Sequence, residues 1–197
     1  MPILVVASGN PGKAAELKEA LGGIPGWTVD SRPFTVDVAE SGDTFEANAR
    51  LKAEAHSRGT PHLVVADDSG LEVDALDGRP GVLSARYGSP TLSDAGRCKA
   101  ILKALIDTPE PERTARFRCV LAVAREGRTL AIYEGSVEGA ILRELRGGGG
   151  FGYDPIFLHP PSGKTFGEMT REEKERVSHR GAAIRKLAAA LEKGDLA

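Results

Sequence analysis

Apolar residues fall along this chain in short bursts, and the spacing within the bursts switches between two periods. Ile3 to Ala7 is continuously apolar and of strand length, which reads as a buried strand. After it comes a helix start: Asn10 is a good N-cap, Pro11 suits the first helical position, and Gly22 can end a helix that runs to about Leu21. Trp27 to Val29 predicts another strand, and Val36 to Glu40 leads on to a further element. Glu40-Ser41-Gly42-Asp43 is a turn. Asp43 with Glu46 three residues on has the form of a capping box, and Phe45, Ala49 and Ala53 then recur at i, i+4, i+8 on one helical face. Gly59 to Pro61 closes that helix.

Leu63 to Ala66 is a second buried strand. Leu71, Val73 and Ala75 alternate with Glu72 and Asp74, which predicts another strand after Asp67-Asp68-Ser69-Gly70. Gly78 to Gly81 is a turn, and Ser93 caps a helix with Ile101, Leu102 and Leu105 apolar. Past the Pro-rich connection from Thr108 to Glu112, the residues Phe117, Cys119, Leu121 and Val123 alternate as in a half-buried strand. Glu126-Gly127-Arg128 is a tight turn, and Thr129 to Val137 returns as the hairpin partner. Thr170 to Glu173 is a capping box, and Ser178 to Gly181 opens the C-terminal helix. No repeat, low-complexity tract or long linker interrupts the pattern.

Bulk properties narrow the class. The 197 residues predict a single domain over residues 1–197, with room for two lobes and a substantial core. The formal net charge of −2 leaves no electrostatic footprint for nucleic acid or an anionic membrane. The opening MPILVVASGN lacks the basic region of a secretory signal. No apolar stretch approaches the ~20 residues of a membrane helix. Cys98 and Cys119 have no metal-ligand spacing and read as reduced core thiols of a cytoplasmic protein.

Candidate chemistry concentrates in four places. Asp67 and Asp68 lie at the end of a buried strand, where α/β sheets place ligands. Adjacent strand residues point to opposite faces, so the two acids take different jobs: one holds a metal or a water, the other orients it or caps the following turn. Asp-Ser-Gly is equally good turn chemistry, so an Asx-turn is the competing reading. Ser8-Gly9-Asn10-Pro11-Gly12-Lys13 joins a strand to a helix start, a ready anion site. Lys13 sits in the first helical turn, where a cation is unfavourable unless an anion joins it. Asn48 and Lys52 lie beside the apolar face of their helix, lining a cleft or its solvated margin. In the Gly147 to Pro155 loop, Phe151 and Tyr153 suit stacking on a flat ring or else plug the core. Lys174, His179 and Arg180 make a donor cluster that fits an acceptor-rich ligand.

Four stretches carry a resemblance together. SGNPGK at 8–13, ESGDTFEANARLKA at 40–53, ADDSGLEVDALDGRPGVLSARY at 66–87, and FGYDPIF at 151–157 with REEKERVSHRGAA at 171–183 resemble the inosine/xanthosine triphosphate pyrophosphatases. The ordered set spans nearly the whole chain. The resemblance implies an α/β fold: an elongated mixed β-sheet flanked by helices, with two lobes and a central substrate cleft. It implies Mg²⁺-dependent hydrolysis of deaminated purine nucleoside triphosphates (ITP, dITP, XTP) to monophosphate and pyrophosphate, by a homodimer. It implies that Ser8, Gly9, Asn10, Pro11, Gly12 and Lys13 hold the triphosphate with Lys52 nearby. Glu40 and Asp68 would bind Mg²⁺, with Asp68 as proton acceptor, and Ser69 would touch substrate. Phe151, Gly152, Tyr153 and Asp154 would hold base and sugar, with Phe151 stacking, and Lys174, His179 and Arg180 would read the base edge.

Overall fold

The computed structural model of the chain describes residues 1–32, 36 and 38–196. Seven strands form one mixed sheet: β1 (Ile3–Ala7), β2 (Thr28–Arg32), β3 (Leu63–Val73), β4 (Thr114–Arg125), β5 (Arg128–Ile141), β6 (Phe157–His159) and β7 (Lys164–Thr165), in the order β2-β1-β3-β4-β5-β6-β7. The helices are α1 (Pro11–Leu21), α2 (Phe45–Ser57), α3 (Asp94–Ala104), α4 (Arg171–Val177) and α5 (His179–Lys193). β1 pairs parallel with both β2 and β3, whereas β6 pairs antiparallel with β5 and β7. Two compact units divide the chain, and β3, β4 and β5 each contribute to both.

The first unit takes in Met1–Asp68, Cys119–Gly135 and Arg180–Ala197. Its sheet registers run Leu4↔Leu63 to Ala7↔Ala66 and Ile3↔Thr28 to Ala7↔Arg32. A parallel strand is covered on both faces, which is why Leu4 to Ala7 and Leu63 to Ala66 are buried without alternation. Leu4, Val6, Leu17, Leu21, Leu63, Leu121, Leu187 and Leu191 belong to one core. Each such leucine contributes roughly 1.5–3 kcal/mol by leaving water. Trp27 closes this core, and its Nε1–H donates to the Leu191 carbonyl at 3.3 Å.

α2 packs against β1 and buries Phe45, Ala49 and Ala53, as the spacing predicted. Its cap differs from expectation. Thr44, not Asp43, is the N-cap, and its side chain accepts from Ala47 N at 3.1 Å. With the helix beginning at Phe45, Glu46 falls one position short of the capping-box acid. It pairs instead with Arg50 one turn on, at 2.7 Å. In the Val36–Glu40 stretch residue 37 lies outside the described residues, and the others form neither helix nor strand.

The second unit takes in Ser69–Arg118 and Ser136–His179. Leu71, Val73, Cys98, Ile101, Leu105, Phe117, Ile141, Phe157 and Phe166 form its core. Phe117 stands 4.6 Å from Phe157 and 5.8 Å from Phe166, centroid to centroid. Ser93 caps α3 by accepting from Gly96 N, as read from sequence. Arg113 is fully buried, an unusual place for a guanidinium. Its three nitrogens donate to the carbonyls of Ile141, Leu105 and Leu142 at 2.8, 2.6 and 2.6 Å.

One strand departs from expectation. Leu63 to Val73 is continuous, so the predicted break at Asp67 to Gly70 is absent. The second predicted strand ends two residues early, because Asp74–Leu76 turns as a short 3₁₀ segment. Turn propensity at Asp-Ser-Gly is worth less than an extended segment buried in the core. Beyond it the Leu71 N–H is satisfied by a side chain, Ser84 Oγ at 2.9 Å.

Candidate active site

In the first unit, β3 carries the two acids mid-strand, just past its last pairing with β1 at Ala7↔Ala66 and not at the strand end the sequence suggested, with their side chains on opposite faces, both buried. Asp67 meets the α1 side: Lys13 Nζ lies 3.4 Å from Asp67 Oδ1, and Arg180 Nε and Nη2 each lie 3.4 Å from Oδ2. Arg180 also reaches Glu16. Asp68 meets the α2 side: its Oδ1 accepts from Lys52 Nζ at 2.9 Å and its Oδ2 from Asn48 Nδ2 at 3.3 Å. Lys52 Nζ also donates to Glu40 Oε1 at 2.8 Å.

The turn at 8–13 is internally satisfied at its helix start. Asn10 Oδ1 accepts from Gly12 N at 2.9 Å and from Lys13 N at 3.1 Å, and Ser8 Oγ bridges back to Asn10. The expected cap is therefore present. The anion that the first-turn Lys13 calls for is, within the chain, Asp67.

Burial and charge set the protonation of the central pair. Burial raises the Asp68 carboxyl above its ordinary value, against the pull of Lys52 and Lys13, and Asp67 adds only a smaller push in the same direction. Burial pulls the Lys52 ammonium down, but Asp68, Asp67 and Glu40 outweigh it and hold it above the usual lysine value. A carboxylate whose proton affinity is lifted toward neutrality suits a general base.

Glu40 and Asp68 send one oxygen each to a single cationic atom, Lys52 Nζ. Two carboxylates converging on one positive charge fit Mg²⁺ of the kind held by one or two acids plus phosphate oxygens and water. Among the described residues no cluster of three or more His, Cys, Asp or Glu forms a dedicated all-protein metal cage. The donor set thus suits a cation that arrives with a polyphosphate.

In the second unit, the Gly147–Pro155 loop wraps a buried acid. Asp154 Oδ2 accepts from Phe151 N at 2.8 Å and from Lys174 Nζ at 2.6 Å. Lys174 Nζ also stands 4.5 Å from the Phe151 ring centroid, a cation–π placement. Gly150 has φ +70°, and a Cβ there would meet Asp154 Oδ2 at 2.0 Å, so only glycine fits. The loop is fastened to α3: Gly152 N donates to Asp94 Oδ2 at 2.7 Å and Cys98 Sγ donates to Gly152 O at 3.3 Å. Tyr153 is buried with its hydroxyl on the Ser84 carbonyl at 2.7 Å, so of the two aromatics it is the core plug, while Phe151 keeps partial exposure. His179 is buried with its ring stacked on Phe117 at 4.8 Å and 11°. Ser69 is half-buried on β3.

The structure therefore groups Ser8 to Lys13, Glu40, Lys52, Asp67, Asp68 and Arg180 in one unit, and Ser69, Phe151 to Asp154, Lys174 and His179 in the other. Each of the three residues read as one donor cluster has a partner of its own within the chain. Lys174 is paired with Asp154, Arg180 with Asp67 and Glu16, and His179 packs on Phe117. The cause is that each cation is buried, and a buried cation takes a carboxylate from its own surroundings. Sequence reasoning missed Glu16, which no motif marks, and left Asn48 unassigned although its polarity on an apolar face marked it. The cysteines are buried free thiols as expected. Burial first pushes Cys98 up to about 11 and Cys119 up to about 12.

Residues 4–190 match the model of the Ham1 family. A dITP/XTP pyrophosphatase of Gloeobacter violaceus is 49% identical over 194 residues, covering 98% of this chain and 96% of that protein. One from Bacillus subtilis is 46% identical, covering 95% and 96%. A solved HAM1 protein from Coxiella burnetii superposes with a TM-score of 0.87 at 40% identity, covering 98% of this chain and all of that one. The Staphylococcus aureus Ham1 protein gives a TM-score of 0.86 at 39% identity, covering 98% and 99%. The four sequence stretches, the mixed seven-stranded sheet and matches spanning almost every residue lead to one conclusion: this chain belongs to the Ham1 family.

Proposed function

We propose that the protein is a Mg²⁺-dependent nucleoside-triphosphate pyrophosphatase. It hydrolyses deaminated purine nucleoside triphosphates (ITP, dITP and XTP) to the monophosphate and pyrophosphate, clearing them from the nucleotide pool. The observation that carries the reading is the convergence of Glu40 and Asp68 on one positive charge, with Asp68 buried and raised in proton affinity. Relatives named dITP/XTP pyrophosphatase, 46–49% identical, support it.

In this reading Lys13 and Lys52, with the turn at Ser8 to Gly12, take the triphosphate. Glu40 and Asp68 hold Mg²⁺, which when bound supplies charge neutralisation on the phosphate oxygens. Asp68 accepts a proton from a water whose oxygen forms the new bond to the α-phosphorus. The bond from that phosphorus to the bridging oxygen breaks, and pyrophosphate leaves with its electron pair. Phe151 stacks on the purine, Gly152 to Asp154 hold base and sugar, and Ser69 contacts substrate. Lys174, His179 and Arg180 read the 6-oxygen. Lys174 and Arg180 can only donate, so they pair with an acceptor there and leave adenine's amino group unmatched. A cytoplasmic location fits the two buried free thiols, and the active form is a homodimer.

The test is incubation with ITP, XTP, GTP and ATP at fixed Mg²⁺, resolving pyrophosphate from orthophosphate. Pyrophosphate released from ITP and XTP is the expected result. Release of orthophosphate alone, or no release from any of the four, would overturn the assignment.

A further inference from the structure

Asn48 is polar, fully buried, and on the apolar face of α2. Its amide is used at three points. Oδ1 accepts from Gly42 N at 2.8 Å, and Nδ2 donates to Gly42 O at 3.3 Å and to Asp68 Oδ2 at 3.3 Å. The opposite amide orientation would set a donor against the Gly42 N–H and an acceptor against both the Gly42 carbonyl and the Asp68 carboxylate, so the network itself fixes the orientation. Gly42 meets Asn48 with no room to spare: a Cβ there would lie 2.8 Å from Asn48 Oδ1 and 2.6 Å from the Ala47 Cβ. Glu40 stands two residues from this contact on the same loop.

We propose that Asn48 is the positioning residue of the site: it ties the loop that carries Glu40 to Asp68, so that the two carboxylates are presented in one geometry. Lys52 also joins them, but through one ammonium on a flexible four-carbon stem, which balances charge without setting orientation. The planar amide of Asn48 is held at both ends and by the helix beneath it. Residues that orient metal-binding carboxylates from behind typically matter 10–100-fold for metal affinity or activity. The inference rests on the reading of Glu40 and Asp68 given above, and its test separates the two.

Asn48→Leu keeps the branched heavy-atom skeleton and the helix while removing all three contacts. Asn48→Ala serves if leucine overpacks. Gly42→Ala attacks the same contact from the other side. Gly42 is half-buried, so water can satisfy its backbone once Asn48 is gone, and the variants are expected to fold. Four quantities are read: kcat with ITP, the Mg²⁺ concentration giving half-maximal rate, calorimetric affinity for α,β-methylene-ITP with and without Mg²⁺, and Tm. The expected result is a kcat about 10–100-fold lower, a rise of similar size in the Mg²⁺ half-saturation, and loss of the Mg²⁺-dependent gain in analogue affinity. Metal-free analogue affinity stays at the wild-type value.

Equal weakening of metal-free and Mg²⁺-dependent binding together with a fallen Tm would make Asn48 a scaffold residue and overturn the proposal. So would variants that match wild type. If wild-type enzyme released no pyrophosphate, the functional reading would fall and this inference with it. An active wild type with unaffected variants would remove the inference alone.

Discussion

Replacing Asp68 with asparagine separates what this carboxylate does for chemistry from what it does for the fold. Asn keeps the shape and an acceptor for Lys52 Nζ, now 2.9 Å from Oδ1, but removes the charge and the proton-accepting capacity. Loss of a general base lowers rates by ~10²–10⁴, or about 3–5 kcal/mol of transition-state stabilisation, and loss of a metal ligand places the expectation at the upper end. Stability should behave differently. Burial raises Asp68 above the ordinary carboxylate value even with Lys52 and Lys13 attracting it. A carboxyl raised by folding stabilises the fold fully below its unfolded value near ~4, and that contribution is lost as pH rises through the folded value. At pH 7 the native fold therefore carries this charge at a cost, and the neutral isostere relieves it. Asp68→Asn should leave Tm unchanged or higher while abolishing turnover and retaining most nucleotide binding. Steady-state kinetics with ITP and thermal unfolding at pH 7 check both halves. A variant keeping a tenth of wild-type kcat would refute the base assignment. A Tm lower by more than ~4 °C, over about 1 kcal/mol for a chain of this size, would show that pairing with Lys52 outweighs burial.

Lys13→Ala should weaken ITP binding in a salt-sensitive way while leaving inosine binding unchanged, because Lys13 faces charge rather than base; an equal effect on both ligands, measured by calorimetry, would contradict a phosphate role. In kcat/KM, ITP and XTP should exceed ATP by up to ~10⁴, since a donor site leaves adenine's amino group unpaired. An ITP/ATP ratio below about ten would sink that reasoning. Arg180→Ala should shrink this ratio, and equal loss on every base would instead assign Arg180 to holding Asp67 and Glu16 in place, the partners it has in the fold. Sedimentation should show a dimer at micromolar concentration, and a monomer of 20.8 kDa alone would refute it.

Several elements of this protein were legible in the chain because their causes are local. The start of α1 follows from Asn10 and Pro11, the α4 box from Thr170 and Glu173, and the cap of α3 from Ser93; each rests on hydrogen bonds spanning two or three residues. The β4–β5 turn is of the same kind, with Glu126 and Gly127 both at positive φ, 52° and 77°. Burial of Leu4 to Ala7 and Leu63 to Ala66 followed from unbroken apolar runs. The opposite facing of Asp67 and Asp68 followed from the two-residue period of a strand, and the ordered motifs were enough to indicate the family.

Tertiary structure decided what depends on partners distant in sequence. The Asp-Ser-Gly stretch had turn chemistry, yet it stays extended because β3 runs on through the core. Arg180 pairs with Glu16, 164 residues away, and Trp27 with the Leu191 carbonyl across the same separation. Arg113 is buried because three carbonyls from β5 and its surroundings happen to converge on one guanidinium. Asn48 gives the sharpest contrast. Its polarity on an apolar face marked it as unusual, but a side chain's partners are set by which backbone the fold brings to it, and here that backbone is Gly42 beside Asp68. Local propensity acts over a turn or two of chain, whereas the charge balance and geometry of a site are properties of side chains gathered from segments that the sequence keeps apart.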